Sequence, residues 1–426
     1  MANSFPLPLA LAIALAVAWP AAAQPSGQDE DDEGGVIRWR NRPSLQIGEH
    51  VRLDLRLKLA WDWRDFDPEI GEDTYDFRIH RGGLNGEVGD HVEFQLERDL
   101  NEDGKWRDVF VNWRTFRQVE VMAGRFKVPF GREQLEGSTD IDFAYRTLVS
   151  TTIPPARDKG VMVHGRFLQR GFTYEAGVFE GDGDNGRLEE AQFQRPDTRL
   201  QGLGHSMAAR VTATPLRPLA ETFENLRIGG AYGRVTLPEG LNSFRGESVW
   251  GTKAFVQPVY VKGRRQRYGA ELTYTPGPVG IAAEWMQARE ERKQQGLGDV
   301  DLSDFVTTGW YASATWLVTG EDKEDFDGPR NPIFTEGFGA IELAARYEKL
   351  RFESAEKIGE AFPSPRAEHY LPNSDEAWTF GVNWFANRWV RLLVNGIHEH
   401  FEDADRTPAT GRTDFWSGVF RLQVVF

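Results

Sequence analysis

Arg52, Arg56 and Lys58 stand at even spacings, with Asp54 and Asp62 in the same series. In an extended chain, residues two apart share a face, about 7 Å from one to the next. A column of cations at that spacing can replace the water around a passing anion and still release it, because each site holds the ion only in part. Arginine suits phosphate, since its planar fork matches a pair of phosphate oxygens. The chemistry these residues suggest is transit rather than bond making. A second group follows: Arg78 and His80 read as an inner face, with Arg81 next to a Gly82-Gly83 pair that breaks the alternation. The competing role for all of these cations is to balance inward carboxylates such as Asp54, Asp62 and Asp76.

The segment 127–159 carries the third group. Its cations are Lys127, Arg132, Arg146, Arg157 and Lys159, with Arg125 at its entry; its anions are Glu133, Glu136, Asp140, Asp142 and Asp158. A stretch this long without a strand pattern is usually functional, and it reads as a constriction loop folded into a lumen. Carboxylates against the wall and cations toward the lumen would select anions. The reverse would select cations. The residue types leave both open.

Other chemistries find little support. There is no Gly-x-Ser-x-Gly and no glycine-rich loop ending in Gly-Lys-Ser/Thr, so neither an enzyme nor a cofactor is expected. Asp99-Leu-Asn-Glu-Asp-Gly104 matches half of a calcium loop, but Phe110 stands where the bidentate Glu belongs, so a tight hairpin is expected. Asp182-Gly-Asp-Asn-Gly186 reads as a solvated turn, with a divalent cation at a lipopolysaccharide surface as the alternative. His398-Glu-His400 lacks zinc-protease spacing. With no Cys, disulfide and thiolate chemistry are excluded. A net charge of −15 argues against nucleic acid as a partner.

The elements that must position these cations are strands. Val51, Leu53, Leu55, Leu57, Leu59, Trp61 and Trp63 share the face opposite the Arg52 column. An Arg or Lys facing lipid at the bilayer midplane costs roughly 2–4 kcal/mol, so the charged face must look into water. The last residues repeat the pattern: Trp416, Gly418, Phe420, Leu422, Val424 and Phe426 on one face, Ser417, Val419, Arg421, Gln423 and Val425 on the other. A strand of this kind has only lipid for its apolar face. Its backbone must be paired there, which requires a closed barrel.

Strands are expected near 44–63, 74–85, 90–98, 106–114, 118–126, 160–167, 171–179, 206–214, 225–235, 265–275, 278–288, 306–318, 339–351, 377–386, 388–400 and 412–426, about sixteen in all. Trp250 to Val261 would make seventeen; bacterial barrels have even counts, so it is read as loop. Short connections at 86–89, 116–119, 169–171 and 276–278 fall at one end. Long ones at 127–159, 180–205, 236–264 and 352–376 fall at the other. The connections 215–224 and 319–338 are long yet fall at the short-turn end. The fold class is therefore all-β, a transmembrane antiparallel β-barrel, and the infolded constriction loop assigned to it rests on the resemblance given below.

The amino-terminal stretch has its own signals. Residues 1–23, apolar from Phe5 and ending in Ala21-Ala22-Ala23, read as a secretory signal, although no Lys or Arg precedes the apolar run. Residues 24–43, with Asp29-Glu-Asp-Asp-Glu33, read as an acidic periplasmic tether. The barrel domain is residues 44–426.

Several segments carry a resemblance. Gly124-Arg-Phe-Lys-Val-Pro-Phe-Gly131 is followed by Thr139-Asp-Ile-Asp-Phe143 and Arg157-Asp-Lys-Gly-Val161. Later come Val318-Thr-Gly-Glu321, Gly339-Ala-Ile-Glu-Leu-Ala-Ala-Arg-Tyr347 and Phe380-Gly-Val-Asn-Trp384. In this order the set resembles the phosphate-selective porin O and P family over roughly residues 40 to 426. The resemblance implies a sixteen-stranded outer-membrane barrel of a Gram-negative bacterium, usually a homotrimer. It also implies a lumen lined with Arg and Lys that passes inorganic phosphate, polyphosphate or other small anions past an infolded third outer loop. Partners would be those anions, outer-membrane lipid and lipopolysaccharide. The alternatives are a general or differently selective porin on the same barrel, or a non-conducting structural or adhesive barrel.

Overall fold

A computed structural model of the chain describes residues 36–39 and 42–426, apart from 103, 169–170, 187, 189–203, 218–220, 245, 251–253, 336, 360 and 362–363. The signal read over 1–23 and most of the tether lie outside the described residues. Two short strands come first, β1 (Val36–Trp39) and β2 (Pro43–Ile47). Then follow β3 (Val51–Phe66), β4 (Thr74–Val88), β5 (Val92–Asp99), β6 (Trp106–Phe116), β7 (Val119–Lys127), β8 (Arg157–Phe167), β9 (Phe172–Phe179) and β10 (Ser206–Ala213). The second half holds β11 (Arg227–Leu241), β12 (Tyr260–Tyr274), β13 (Val279–Arg292), β14 (Leu302–Leu317), β15 (Ala340–Ser354), β16 (Asn373–Phe385), β17 (Val390–Phe401) and β18 (Asp414–Val425).

From β3 to β18 each strand pairs antiparallel with the next, and β18 pairs with β3 from Ser417↔Phe66 to Val425↔Lys58. The sheet therefore closes on itself as a sixteen-stranded barrel, the arrangement that leaves no backbone unpaired in lipid. The expected 44–63 strand is two. Gly48, at φ 57°, opens a turn that sends β2 back along β3, below the point where β18 stops. Val36–Trp39 pairs with β2, so this end of the expected tether is strand.

The alternation does what lipid demands. Leu55, Trp63, Val161, Phe380 and Trp416 are exposed on the outer face, Trp416 to 62%, while Asp62, Arg346, Glu399 and Arg421 are buried within. Replacing the outward Phe420 with Arg is expected to cost about 2–4 kcal/mol in denaturant unfolding from lipid vesicles; a stability equal to wild type would contradict the outward assignment.

The four expected long loops lie at one end, taken here as outer, and the connectors 214–226 and 318–339 lie at the short-turn, periplasmic end. Several strands of the second half run further outward than the pattern foretells: β11 to Leu241, β12 from Tyr260, β15 to Ser354. Their inner residues there, Leu237, Val261 and Phe352, pack on Phe244, Phe255 and Val256 of the infolded segment 242–259. The inner face is apolar there and the outward face carries Thr236, Arg264, Lys349, Arg351 and Glu353, so the alternation persists with its sense reversed, apolar inside and polar outside.

Candidate functional site

Residues 128–156 leave β7 and fold into the lumen, with two short helices, α1 (Arg132–Leu135) and α2 (Leu148–Thr152). Thr147 caps α2, its side chain accepting from the Ser150 N–H at 3.2 Å. A loop inside a barrel leaves backbone groups without water, and each needs a partner. Side chains of one wall supply them. Glu284 accepts from the Arg132 and Glu133 N–H groups (2.5 and 2.9 Å), Asn395 from Ala144 (2.8 Å) and Glu348 from Leu148 (2.5 Å). Arg391 donates to the Ile141 and Asp142 carbonyls (2.8 and 2.9 Å), and Gln423 to Thr139 (2.8 Å). These partners sit on β13, β15, β17 and β18, so the loop leans on that wall and turns its other side toward β3–β8.

The carboxylates of the loop are largely taken. Glu133 accepts from the Thr147 N–H (2.8 Å) and lies 3.3 Å from Arg346. Glu136 pairs with Arg132 at 2.5 Å, and Asp142 with Lys323 at 2.6 Å. Asp158 accepts from the Gly181 and Gly183 N–H groups, while Asp140 stays exposed. Burial, opposed by Arg132 and reinforced by Asp142, Glu133 and Asp140, pushes the Glu136 carboxyl up to about 7, so near neutral pH part of it carries no charge.

The cations are arranged otherwise. Arg146 donates to the carbonyls of Glu133 (3.1 Å) and Glu136 (2.6 Å), and Lys127 to those of Leu135 (3.0 Å) and Glu136. Both side chains are thus held by backbone carbonyls rather than by a carboxylate among the described residues. On the facing wall, Lys58 meets Glu97 at 3.0 Å, Arg81 meets Asp99 at 2.8 Å and Ser138 at 2.9 Å, and Arg107 meets Asp99 at 2.6 Å. Arg157 grips Asp108 through two bonds of 2.9 Å. Lower on β3, Arg56 donates to Asn85 (3.2 Å), and Arg52 pairs with Glu87 (2.9 Å) and Asp54 (3.3 Å). The Arg52–Arg56–Lys58 column therefore lies on the inner face as expected, though two of its members are partnered.

Three expected positions change. Gly82-Gly83 does not break the alternation of β4; a bulge does, opposite Ala60 and Trp61, at Arg78. Arg78 and Arg81 thus both point inward, while His80 opposes Leu59 on the outer face. Arg78 lies over the Tyr145 ring, 5.7 Å from its centre, with no carboxylate partner among the described residues. Arg125 and Lys159 are not lumenal. They line an outward apolar groove with Trp106, Val161 and Val178, because β8 puts Lys159 on the face of Val161. Arg125 pairs with Asp184 (2.5 Å) and Lys159 with Glu180 (3.4 Å).

Among the described residues, a chamber lies on each side of the loop. The outer, of about 520 Å³, is lined by Arg78, Arg81, Arg107, Arg146 and Arg421, with Asp184 and Glu247. The periplasmic, of about 530 Å³, is lined by Arg132, Lys323, Arg388 and Arg391 among cations and by Glu136, Asp140, Asp142, Glu324 and Asp327 among anions.

Sequence reasoning missed a second infolded loop, 242–259. Its Trp250 meets Tyr145 edge-on (4.1 Å between ring centres) and donates to Ser417, and the Val249 N–H donates to Glu399 at 2.6 Å. The signal available was a run of apolar residues, Val249, Trp250, Phe255 and Val256, too greasy for an exposed loop. The 182–186 turn is no solvated turn at its start: Asp182 is fully buried against Arg265 and Arg267, which hold its carboxyl below the usual range despite burial. Asp99 of the calcium-like stretch is occupied by Arg81 and Arg107, and no group of metal-ligating side chains is assembled among the described residues.

Comparison with known proteins agrees with this architecture. The family model described as phosphate-selective porin O and P matches residues 51–426. No curated protein matches in sequence. Among solved structures, the fold is similar to a loop-L8 deletion mutant of OmpT, an outer membrane protein of Vibrio cholerae, with a TM-score of 0.54 and 14% identity over 89% of this chain and 100% of that one. It is similar to the outer membrane channel DcaP of Acinetobacter baumannii, with a TM-score of 0.54 and 11% identity over 89% and 98%. An in-vitro folded OmpT in a trimer form gives 0.52 and 14% over 89% and 100%.

Proposed function

The chain belongs to the phosphate-selective porin O and P family, and from that membership we propose that it passes small anions, phosphate foremost, along the arginines of its lumen. It is an outer-membrane porin of a Gram-negative bacterium and not an enzyme. The observation that carries the proposal is the outer chamber, where Arg78 and Arg146 carry charges that no carboxylate of the described residues bonds. An anion entering there exchanges part of its hydration for guanidinium donors. It then moves past Arg81 and Lys58 toward Arg56, and the spacing of these cations keeps each stay short. Two unit charges about 4 Å apart interact by about 4 kcal/mol at an effective dielectric of 20, enough to bind and not enough to trap.

Reversal potentials in planar bilayers across a potassium chloride gradient test this. The wild type is expected to prefer chloride, and Arg78→Ala to lower that preference; a wild type that prefers potassium refutes the proposal. A weakly selective channel is the second reading, favoured by the carboxylates of the periplasmic chamber; it predicts a reversal potential near zero. We read the assembly as a homotrimer seated in outer-membrane lipid and lipopolysaccharide, on the likeness to the OmpT trimer form.

A further inference from the structure

The periplasmic connector 318–339 sends a side chain up into the lumen. The Lys323 N–H donates to the Gly277 carbonyl at 2.7 Å, which pins the connector to the neighbouring turn. Glu321 closes the bend by accepting from the Arg330 N–H at 3.2 Å. From this base the Lys323 ammonium reaches Asp142 on the constriction loop, at 2.6 Å, and Glu342 on β15. Asn383 of β16 donates to Glu342 and to the Asp142 carbonyl, both at 2.8 Å. Loop, wall and connector thus meet at one ammonium group. Although burial opposes it, Asp142 and Glu342 hold that group charged, raising its affinity for the proton above the ordinary lysine value.

The loop does not need Lys323 to stay in place, since Glu284, Asn395, Arg391 and Gln423 already fasten its backbone. Among the described residues, Lys323 is the cation that forms ion pairs with both carboxylates. Arg391 lies near them too, but its guanidinium bonds are given to the Ile141 and Asp142 carbonyls. We propose that Lys323 is a specificity-determining residue of the channel: by compensating Asp142 and Glu342 at the floor of the constriction, it stops two carboxylates from repelling anions on their way to the periplasmic chamber. This rests on the anion-channel reading above. The other charges facing that chamber are Arg132, Glu136, Asp140, Arg227, Glu324, Asp327 and Arg388, and all of them stay unchanged in the test.

The measurement is the chloride-to-potassium permeability ratio of wild type, Lys323→Gln, Lys323→Arg and Lys323→Gln/Asp142→Asn. Lys323→Gln is expected to lower the ratio about fivefold, the effect of one unit charge about 4 Å from the ion in water. Lys323→Arg keeps the wild-type ratio, and adding Asp142→Asn to Lys323→Gln restores most of the loss. A Lys323→Gln ratio equal to wild type, or no recovery in the double variant, overturns the inference. Should Lys323→Gln fail to assemble, Asp142→Asn alone is expected to shift the ratio toward chloride, and an unchanged ratio overturns it equally. A wild type that prefers potassium sinks the function proposed above and leaves the comparison between variants intact.

Discussion

Reversing two charges of the outer chamber, as Arg78→Glu/Arg146→Glu, should turn the channel from preferring chloride to preferring potassium. Both side chains line the same chamber and neither is bonded to a carboxylate among the described residues. Even at the dielectric of water, a unit charge about 4 Å from the ion contributes about 1 kcal/mol. Two reversals change the local charge by four units, well beyond the roughly 1.4 kcal/mol that shifts a ratio tenfold. Arg146 also supports the loop by binding the carbonyls of Glu133 and Glu136, so its loss alone loosens the backbone. The neutral pair Arg78→Met/Arg146→Met separates the two effects: it removes the same bonds and should move the reversal potential only part of the way. If the glutamate pair and the methionine pair give the same potential, field effects in this chamber do not set selectivity.

The largest loss of stability is expected from Arg421→Met. Arg421 and Asp62 are buried in each other's arms across the barrel seam, with bonds of 2.6 and 2.8 Å. Tyr145 of the constriction loop donates to the same Asp62 at 3.0 Å, and the guanidinium lies 5.3 Å from its ring centre. Removing the arginine leaves a buried carboxylate with one neutral donor, and breaking such a pair typically costs about 3–5 kcal/mol. The strand ladder of β18 and β3 survives, so the damage should appear first in the loop, as noisier open-channel current, and then as a lower midpoint of thermal unfolding in detergent. Arg421→Met/Asp62→Asn removes the stranded charge and should recover most of the loss, a coupling that a double-mutant cycle measures. An Arg421→Met protein as stable and as quiet as wild type would show that the lumen hydrates Asp62 freely.

Much of the barrel was legible in the chain because the relevant rule is local. Whether Leu55 faces lipid and Arg56 faces water follows from a two-residue repeat and the cost of a charge in hydrocarbon, and the exposure of Leu55, Trp63 and Trp416 follows suit. Where the repeat failed, a local cause can be named. His80 turned outward because of a bulge at Arg78 that nothing in its neighbours announces. The outer ends of β11, β12 and β15 reversed the pattern, apolar inside and polar outside, because an infolded loop covers their inner residues.

The chain by itself thus determined a closed all-β wall, an inward column at Arg52, Arg56 and Lys58, and a long segment at 127–159 that had to do something other than turn. Only the tertiary structure decided which wall that segment leans on, that Arg78 and Arg146 keep charges no carboxylate of the described residues bonds, that Arg125 and Lys159 belong to the outer groove, and that Lys323 enters from below. The physical reason is range. The direction of a side chain is set by its own backbone, whereas the partner of a charge is set by whatever closure of the barrel brings opposite it, as Asp62 is brought to Arg421 and Asp142 to Lys323.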